Sequence, residues 1–162
     1  MRHCEPEGQP FEANLTKRGS IQAKQLSDFF SKIKVDQIIS SPFLRAIQSI
    51  EPTSNEKKID IVLDERLSER KLSSIDLPDW LEKLKATFED LELKFDGGES
   101  NQEATNRAIS VIDEIIKSEN QITIVVTHGN LMSLIIKQFN KEFGFENWKS
   151  LSNPDIGRLA IM

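Results

Sequence analysis

The most informative stretch of the chain is Ile122-Thr-Ile-Val-Val-Thr127, which is followed at once by His128 and Gly129. Its residues are mostly β-branched and its apolar character is nearly continuous. This pattern is typical of a strand that is covered on both faces in a parallel sheet. Further, shorter strands are predicted at 36–40, 59–63 and, as the last element, 157–162.

Helical periodicity fills the segments between these strands. The predicted helices cover residues 19–33, 43–50, 79–93, 100–118 and 131–139. Pro42 suits the start of the second helix, because its missing N–H would be unpaired there anyway. Loops are predicted at 53–60 and 94–100. Strands that alternate with helices predict an α/β fold, here a three-layer α/β/α sandwich with a mostly parallel central sheet.

Composition excludes several classes of protein. The chain has 162 residues, a length that predicts one domain over residues 1–162. Its 21 Lys and Arg against 26 Asp and Glu give a net charge of -5 and no basic stripe, so no nucleic-acid partner is expected. No apolar run approaches the ~20 residues of a membrane-spanning helix, and the start lacks a signal segment. A single cysteine cannot form an internal disulfide, which favours a cytoplasmic location.

Candidate functional residues follow the predicted strands. They are Arg45 after the strand 36–40, Glu69 after 59–63 and His128 directly after 122–127. Sites in parallel sheets form at the carboxyl ends of the strands, and the turn at His128 offers backbone N–H groups that favour anions. Each residue also has a structural interpretation, since a histidine after a strand is commonly a hydrogen-bonded core residue and a lone arginine a solvated charge.

Six motifs together resemble those of the histidine phosphatase superfamily, the phosphoglycerate-mutase-like group, and its small bacterial-type phosphatases in particular. The motifs are Arg2-His3-Cys4-Glu5, LTKRGSIQA at 15–23, SSPFLRAIQ at 40–48, LDERLSE at 63–69, GGES at 97–100 and VTHG at 126–129. They occur in the family's order and span most of the chain. Each motif alone is weak, whereas the series is highly specific.

The resemblance implies a metal-independent phosphomonoesterase that acts on a small phosphorylated metabolite through a phosphohistidine intermediate, without a cofactor. His3 is then the nucleophile, and Glu69 protonates the leaving oxygen and later assists water. Cationic and polar groups are expected to bind the phosphate: Arg2, Gln9, Arg45, His128 and Gly129. Such chemistry depends on positioning and on positive charge around the three equatorial oxygens of the phosphoryl group.

The sequence leaves other functions open. A non-catalytic or impaired phospholigand-binding module would use the same phosphate-binding groups, and mutase-type phosphoryl transfer would use the same nucleophile. The short chain leaves no room for the insertions of true phosphoglycerate mutases, which favours a hydrolase. Sugar phosphates, nucleotides and phosphohistidine proteins all stay open as substrates. The oligomeric state also stays open, with a homodimer as one alternative.

Two departures from the family's pattern affect the proposed site. Cys4 stands where the family has glycine, and a buried small residue is favoured there over a redox switch. Only Met1 precedes Arg2, whereas family members have a strand that runs into this motif, so the first strand is expected to be missing from this chain. One hypothesis is that Met1 represents a valine codon that was taken as the start. Otherwise a poorly ordered His3, weak stability or strand exchange, and low activity are expected.

Overall fold

A parallel sheet lies at the centre of the computed structural model, which describes residues 1–160. In this part of the chain the sheet has three strands in the order β2-β1-β3. They are β1 (Gln37–Ser40), β2 (Ile61–Leu63) and β3 (Thr123–Val126). Ser40 at the end of β1 lies opposite Leu63 of β2 and Val126 of β3. The carboxyl ends of all three strands are therefore level, and the segments that follow them meet at one edge of the sheet.

The first residues of the chain extend this sheet beyond β3. Thr127 N–H donates to the Met1 carbonyl at 2.9 Å, and His3 N–H donates to the Thr127 carbonyl at 3.1 Å. On the other side, Arg2 N–H donates to the Asp155 carbonyl at 2.9 Å. Arg2 thus forms a parallel bridge with Thr127 and an antiparallel bridge with Asp155. The expectation of a poorly ordered segment around His3 is wrong, because backbone hydrogen bonds fix it on both sides.

Helices connect the strands and cover the sheet. Their bounds are α1 (Lys17–Phe30), α2 (Leu44–Lys57), α3 (Trp80–Glu89), α4 (Asn101–Lys117), α5 (Gly129–Phe139) and α6 (Phe145–Ser150), with a short 3-10 helix at Glu65–Leu67. The Thr16 side chain caps α1 by accepting from Gly19 N–H. Ser100 and Glu103 form a reciprocal capping box at the start of α4. These side chains satisfy donors that a helix start otherwise leaves unpaired.

The alternation of side chains along the strands places α-helices on both faces of the sheet. Ile38 of β1 and Ile124 of β3 pack in a core cluster with residues of α1 and α2. Ile39, the next residue of β1, belongs to a cluster on the opposite face with Val111 of α4. A further cluster joins α3, α4 and α5. The predicted three-layer sandwich with a parallel central sheet is confirmed.

Some predicted boundaries are wrong. The predicted loop at 53–60 is helical as far as Lys57, because α2 continues through Pro52. Ile50 and Thr53, on either side of this proline, are fully buried, so packing offsets the cost of about 3 kcal/mol that proline brings to a helix interior. Of the predicted last strand, residues 157–160 are irregular, and 161–162 lie outside the described residues. The short helix α6 was not predicted.

No helix in the described part of the chain combines the length and the apolar character that crossing a membrane requires.

Candidate functional site

The strand ends and the first residues bring the predicted site residues together. The His3 and His128 rings meet edge to face with their centroids 5.0 Å apart. Arg45, in the first turn of α2, donates from Nε to His3 Nε2 at 3.2 Å. His3, Arg45 and His128 are only 5%, 1% and 0% exposed. The site is therefore a largely water-excluded cluster in which electrostatic interactions are strong.

The hydrogen bonds of His3 determine which ring nitrogen carries the proton. Nδ1 lies 2.7 Å from the Cys4 carbonyl oxygen. A carbonyl only accepts, so Nδ1 bears the hydrogen and the lone pair of Nε2 faces Arg45. Burial lowers the pKa of His3 to about 4, and the positive charges of Arg45 and Arg2 add to this effect. The ring is therefore neutral near pH 7, and its unprotonated Nε2 accepts a hydrogen bond from Arg45 Nε.

Arg45 is fixed by the loop that precedes α1. Its Nη1 donates to the carbonyl oxygens of Gln9 and Pro10, each at 3.0 Å. Its guanidinium also lies over the Phe43 ring at 4.7 Å. Gln9 itself is exposed and reaches the site through its main-chain carbonyl, so its predicted contact with phosphate stays a prediction. This network fixes the plane of the Arg45 guanidinium beside His3.

His128 lies between β3 and α5 and is held by the segment after β1. Its Nε2 lies 2.7 Å from Ser41 Oγ, which also accepts from Phe43 N–H at 3.3 Å. Its Nδ1 is buried without a hydrogen-bond partner among residues 1–160. Burial, followed by the neighbouring charges of His3 and Arg45, lowers the pKa of His128 well below its usual value. Like His3, it is neutral near pH 7.

Arg2 reaches the same cluster from the edge of the sheet. Its Nη1 donates to the Leu151 carbonyl at 3.0 Å, while its Nε is buried and unpaired within the described residues. A Cβ added to Gly129 would lie 3.1 Å from both Cζ and Nε of Arg2. The glycine in the turn after His128 therefore allows Arg2 to lie close to the start of α5.

Glu69 binds the start of α5 with its carboxyl group. Oε2 accepts from Asn130 N–H at 3.1 Å, and Oε1 accepts from Leu131 N–H at 3.0 Å and from Arg70 N–H at 2.9 Å. Burial raises the pKa of Glu69, and this exceeds the opposite effect of the three backbone donors and of Arg2. Its charge in turn counteracts the lowering of the Arg2 and Arg45 pKa values by burial. A carboxyl with a raised pKa is suited to give and take a proton near neutral pH.

Two neighbours of Glu69 and His128 were not predicted as site residues. Arg70 is 5% exposed, and its guanidinium nitrogens find no partner in the described chain. Burial lowers its pKa, while Glu99 and Glu69 act in the opposite direction. Both polar atoms of the buried Asn130 side chain are also unpaired there. An anion bound beside the cationic cluster would provide hydrogen-bond partners for these unpaired buried donors. In the sequence, the only indication that Arg70 and Asn130 belong to the site is that each lies next to a motif.

Two further observations concern the role of Cys4 and the binding of metal ions. Cys4 is fully buried, and burial raises the pKa of its thiol to about 11, which supports a structural role rather than a redox switch. Within residues 1–160, no group of three or more His, Cys, Asp or Glu side chains is arranged to hold a metal ion.

Comparison with known proteins gives matches over most of the chain. Phosphoserine phosphatase 1 of Hydrogenobacter thermophilus is 28% identical over 144 residues, which are 79% of this chain and 68% of that protein. The solved mycobacterial glucosyl-3-phosphoglycerate phosphatase superposes with a TM-score of 0.75 at 21% identity, over 93% of this chain and 82% of that one. The alpha-ribazole phosphatase from Shigella flexneri gives a TM-score of 0.72 at 19% identity, over 92% of this chain and 81% of that one.

The structural matches, at these identities, show the shared fold. The similarity to phosphoserine phosphatase 1 indicates that this chain is a phosphatase. The family model of the histidine phosphatase superfamily, branch 1, matches residues 1–160, and the chain therefore belongs to that superfamily.

Proposed function

We propose that this protein is a metal-independent phosphomonoesterase that hydrolyses a small phosphorylated metabolite through a phosphohistidine intermediate. The observation that carries the proposal is the state of the His3 ring. Its Nδ1 is fixed by the Cys4 carbonyl at 2.7 Å, and its Nε2 faces the Arg45 guanidinium at 3.2 Å. A neutral imidazole beside the buried guanidinium of Arg45 and the half-buried one of Arg2 is a nucleophile next to a binding site for the phosphate that it attacks.

In the first step the electron pair of His3 Nε2 forms a bond to phosphorus, and the bond from phosphorus to the leaving oxygen breaks. Glu69 gives its proton to that oxygen. Arg2 and Arg45 neutralise the charge that spreads over the three equatorial oxygens. In the tautomer of His128 whose Nε2 accepts from Ser41 Oγ, Nδ1 carries the hydrogen and donates a hydrogen bond to a phosphate oxygen.

In the second step a water molecule attacks phosphorus from the side that the leaving group has vacated. The Glu69 carboxylate takes a proton from this water, and the bond between phosphorus and His3 Nε2 breaks. Inorganic phosphate leaves, the electron pair returns to Nε2, and Glu69 is again protonated. The raised pKa of Glu69 supports both of its roles, because it favours the protonated acid in the first step and makes the carboxylate a stronger base in the second.

The name of the curated relative makes phosphoserine the first substrate to test, followed by a panel of sugar phosphates and nucleotides. We propose a cytoplasmic protein, which the lone buried cysteine supports, and no nucleic-acid partner, which the net charge of -5 supports.

The test measures phosphate release from p-nitrophenyl phosphate and phosphoserine, with and without EDTA, for the wild type and for His3→Ala. The exposed Lys24→Ala is the matched control. We expect the wild type to be active whether or not EDTA is present. We expect His3→Ala to lose this activity and Lys24→Ala to keep it. Brief incubation with ³²P-labelled substrate is expected to give an acid-labile, alkali-stable label on the wild type alone. Full turnover in His3→Ala contradicts the mechanism, and phosphate binding without turnover in the wild type supports the binding-module alternative.

A further inference from the structure

The turn before Glu69 is fixed through three successive main-chain carbonyl groups. Arg107 Nη1, from α4, donates to the Arg66 carbonyl at 2.6 Å and to the Ser68 carbonyl at 2.9 Å. Between them, the Leu67 carbonyl accepts from Thr127 Oγ1 at 2.7 Å. Thr127 directly precedes His128, so this turn is fastened both to α4 and to the end of β3.

Arg107 is itself oriented by Glu99. Its Nε donates to Oε1 of Glu99 at 2.6 Å and its Nη2 to Oε2 at 2.9 Å. Both side chains are 23% exposed, so the pair is largely shielded from solvent. Two parallel bonds fix the plane of the guanidinium, and the remaining nitrogen, Nη1, is then aimed at the two carbonyls. A lysine has one ammonium group and does not reproduce this geometry.

The loop that contains Glu99 also fixes the residues after Glu69. Glu99 N–H donates to the Lys71 carbonyl at 2.8 Å. A Cβ added to Gly98 would lie 2.1 Å from the Leu72 carbonyl oxygen, so the two segments are in direct backbone contact. The main chain on both sides of Glu69 is therefore fastened to Glu99 and Arg107.

We infer that Arg107 and Glu99 are positioning residues that fix the Glu69 carboxyl where it transfers a proton to the leaving oxygen. Neither contacts the reacting groups, and both act through the backbone that carries Glu69. The inference rests on the proposed function, in which Glu69 is the general acid. A purely structural ion pair would instead affect all substrates equally.

Substrates with different leaving groups distinguish a positioning role of Arg107 and Glu99 from a purely structural one. An alkyl phosphate releases a poor leaving group that needs a proton, whereas p-nitrophenolate leaves without one. The comparison uses kcat/KM, because steps after loss of the leaving group do not enter it. A general acid contributes about 10²- to 10⁴-fold, and a displacement of ~1 Å costs up to about 10²-fold. For Arg107→Met we expect a loss of about 10- to 100-fold on glycerol 2-phosphate and less than about threefold on p-nitrophenyl phosphate.

Arg66→Met is the matched control. Arg66 belongs to the same turn and pairs with Asp64 and with Glu114 of α4, but its side chain does not bind the carbonyls of that turn. We expect it to leave both kcat/KM values within about twofold of the wild type, because Glu114 is 64% exposed and the main chain next to Glu69 keeps its bonds to Arg107. Glu69→Gln is the reference for loss of the acid, and far-UV circular dichroism and Tm verify that each variant folds.

The outcomes distinguish the inference from the function on which it rests. A selective loss on the alkyl ester in both Glu69→Gln and Arg107→Met supports both. If Glu69→Gln loses kcat/KM selectively on the alkyl ester, whereas Arg107→Met loses it equally on both substrates or not at all, the positioning role is overturned and the function stays intact. An equal loss on both substrates in Glu69→Gln overturns the general acid itself. If Arg107→Met does not fold, Glu99→Gln, which keeps the shape of the side chain, gives the same comparison.

Discussion

Lowering the pH from 7 to 4 is expected to destabilise the protein through His3. Burial lowers the pKa of this residue from the usual 6.5 to about 4 in the folded protein. Between these values the unfolded chain binds a proton that the folded chain does not. The contribution is therefore fully present above pH 6.5, decreases as the pH falls, and is lost below about pH 4.

The size of this loss follows from the same two values. They differ by about 2.5 pH units, and one unit corresponds to about 1.36 kcal/mol, so the free energy of unfolding decreases by ~3 kcal/mol. This is a large part of the free energy of unfolding of a typical folded domain, which is about 5–15 kcal/mol. His128, whose pKa burial also lowers, contributes in the same direction, and Glu69, whose pKa burial raises, contributes in the opposite one.

The assay is urea unfolding at pH 7, 6, 5 and 4.5 in phosphate-free buffer, for the wild type and for His3→Gln. Glutamine is polar and does not titrate, so groups that do not interact with His3 cancel in the difference, which then reports His3 together with its coupling to His128. We expect the stability of the wild type to fall more steeply with pH than that of His3→Gln. Parallel pH dependences would refute the reasoning, because His3 would then titrate alike in the folded and unfolded states.

Three further predictions concern the site. Gly129→Ala is expected to lower kcat/KM by about tenfold with little change in Tm, because the new Cβ would lie 3.1 Å from Arg2 and displace its guanidinium; an unchanged kcat/KM would contradict this. In a pH profile, kcat/KM is expected to fall below about pH 4 as His3 binds a proton, and at high pH as Glu69 loses one, with Glu69→Gln removing the alkaline fall alone. Cys4, buried and with its pKa raised to about 11, is expected not to react with DTNB at pH 8 until the protein unfolds, and rapid labelling of the native protein would restore the redox alternative.

Much of the fold was predictable because it depends on local sequence. The β-branched run at 122–127 predicted β3, and the regular spacing of apolar residues predicted most helices. The continuation of α2 through Pro52 was not predictable, because the burial of Ile50 and Thr53 in the folded core outweighs the local signal of the proline. Long-range packing likewise decides that residues 157–160 stay irregular.

The proximity of the candidate site residues was predictable where they follow parallel strands. His128 comes directly after the predicted strand 122–127 and Arg45 lies in the helix after β1, and the level carboxyl ends of β1 and β3 place both segments at one edge of the sheet. Arg107 was not predictable, because the carbonyls that it binds are 41 and 39 positions away in the chain. Arg70 was missed for a different reason, since its burial without a partner is a property of the folded molecule alone.

The attachment of Arg2 and His3 to a distant segment has a consequence for the order of folding events. Asn153 Nδ2 donates to the His3 carbonyl at 2.9 Å across 150 positions of sequence, and Asp155 binds Arg2 N–H from the same segment. The two segments are therefore far apart in the sequence although they lie side by side in the fold. Contacts between such distant positions form late, after a long loop has closed. The segment that carries His3 is therefore expected to become fixed late in folding, after the local contacts within the helices have formed.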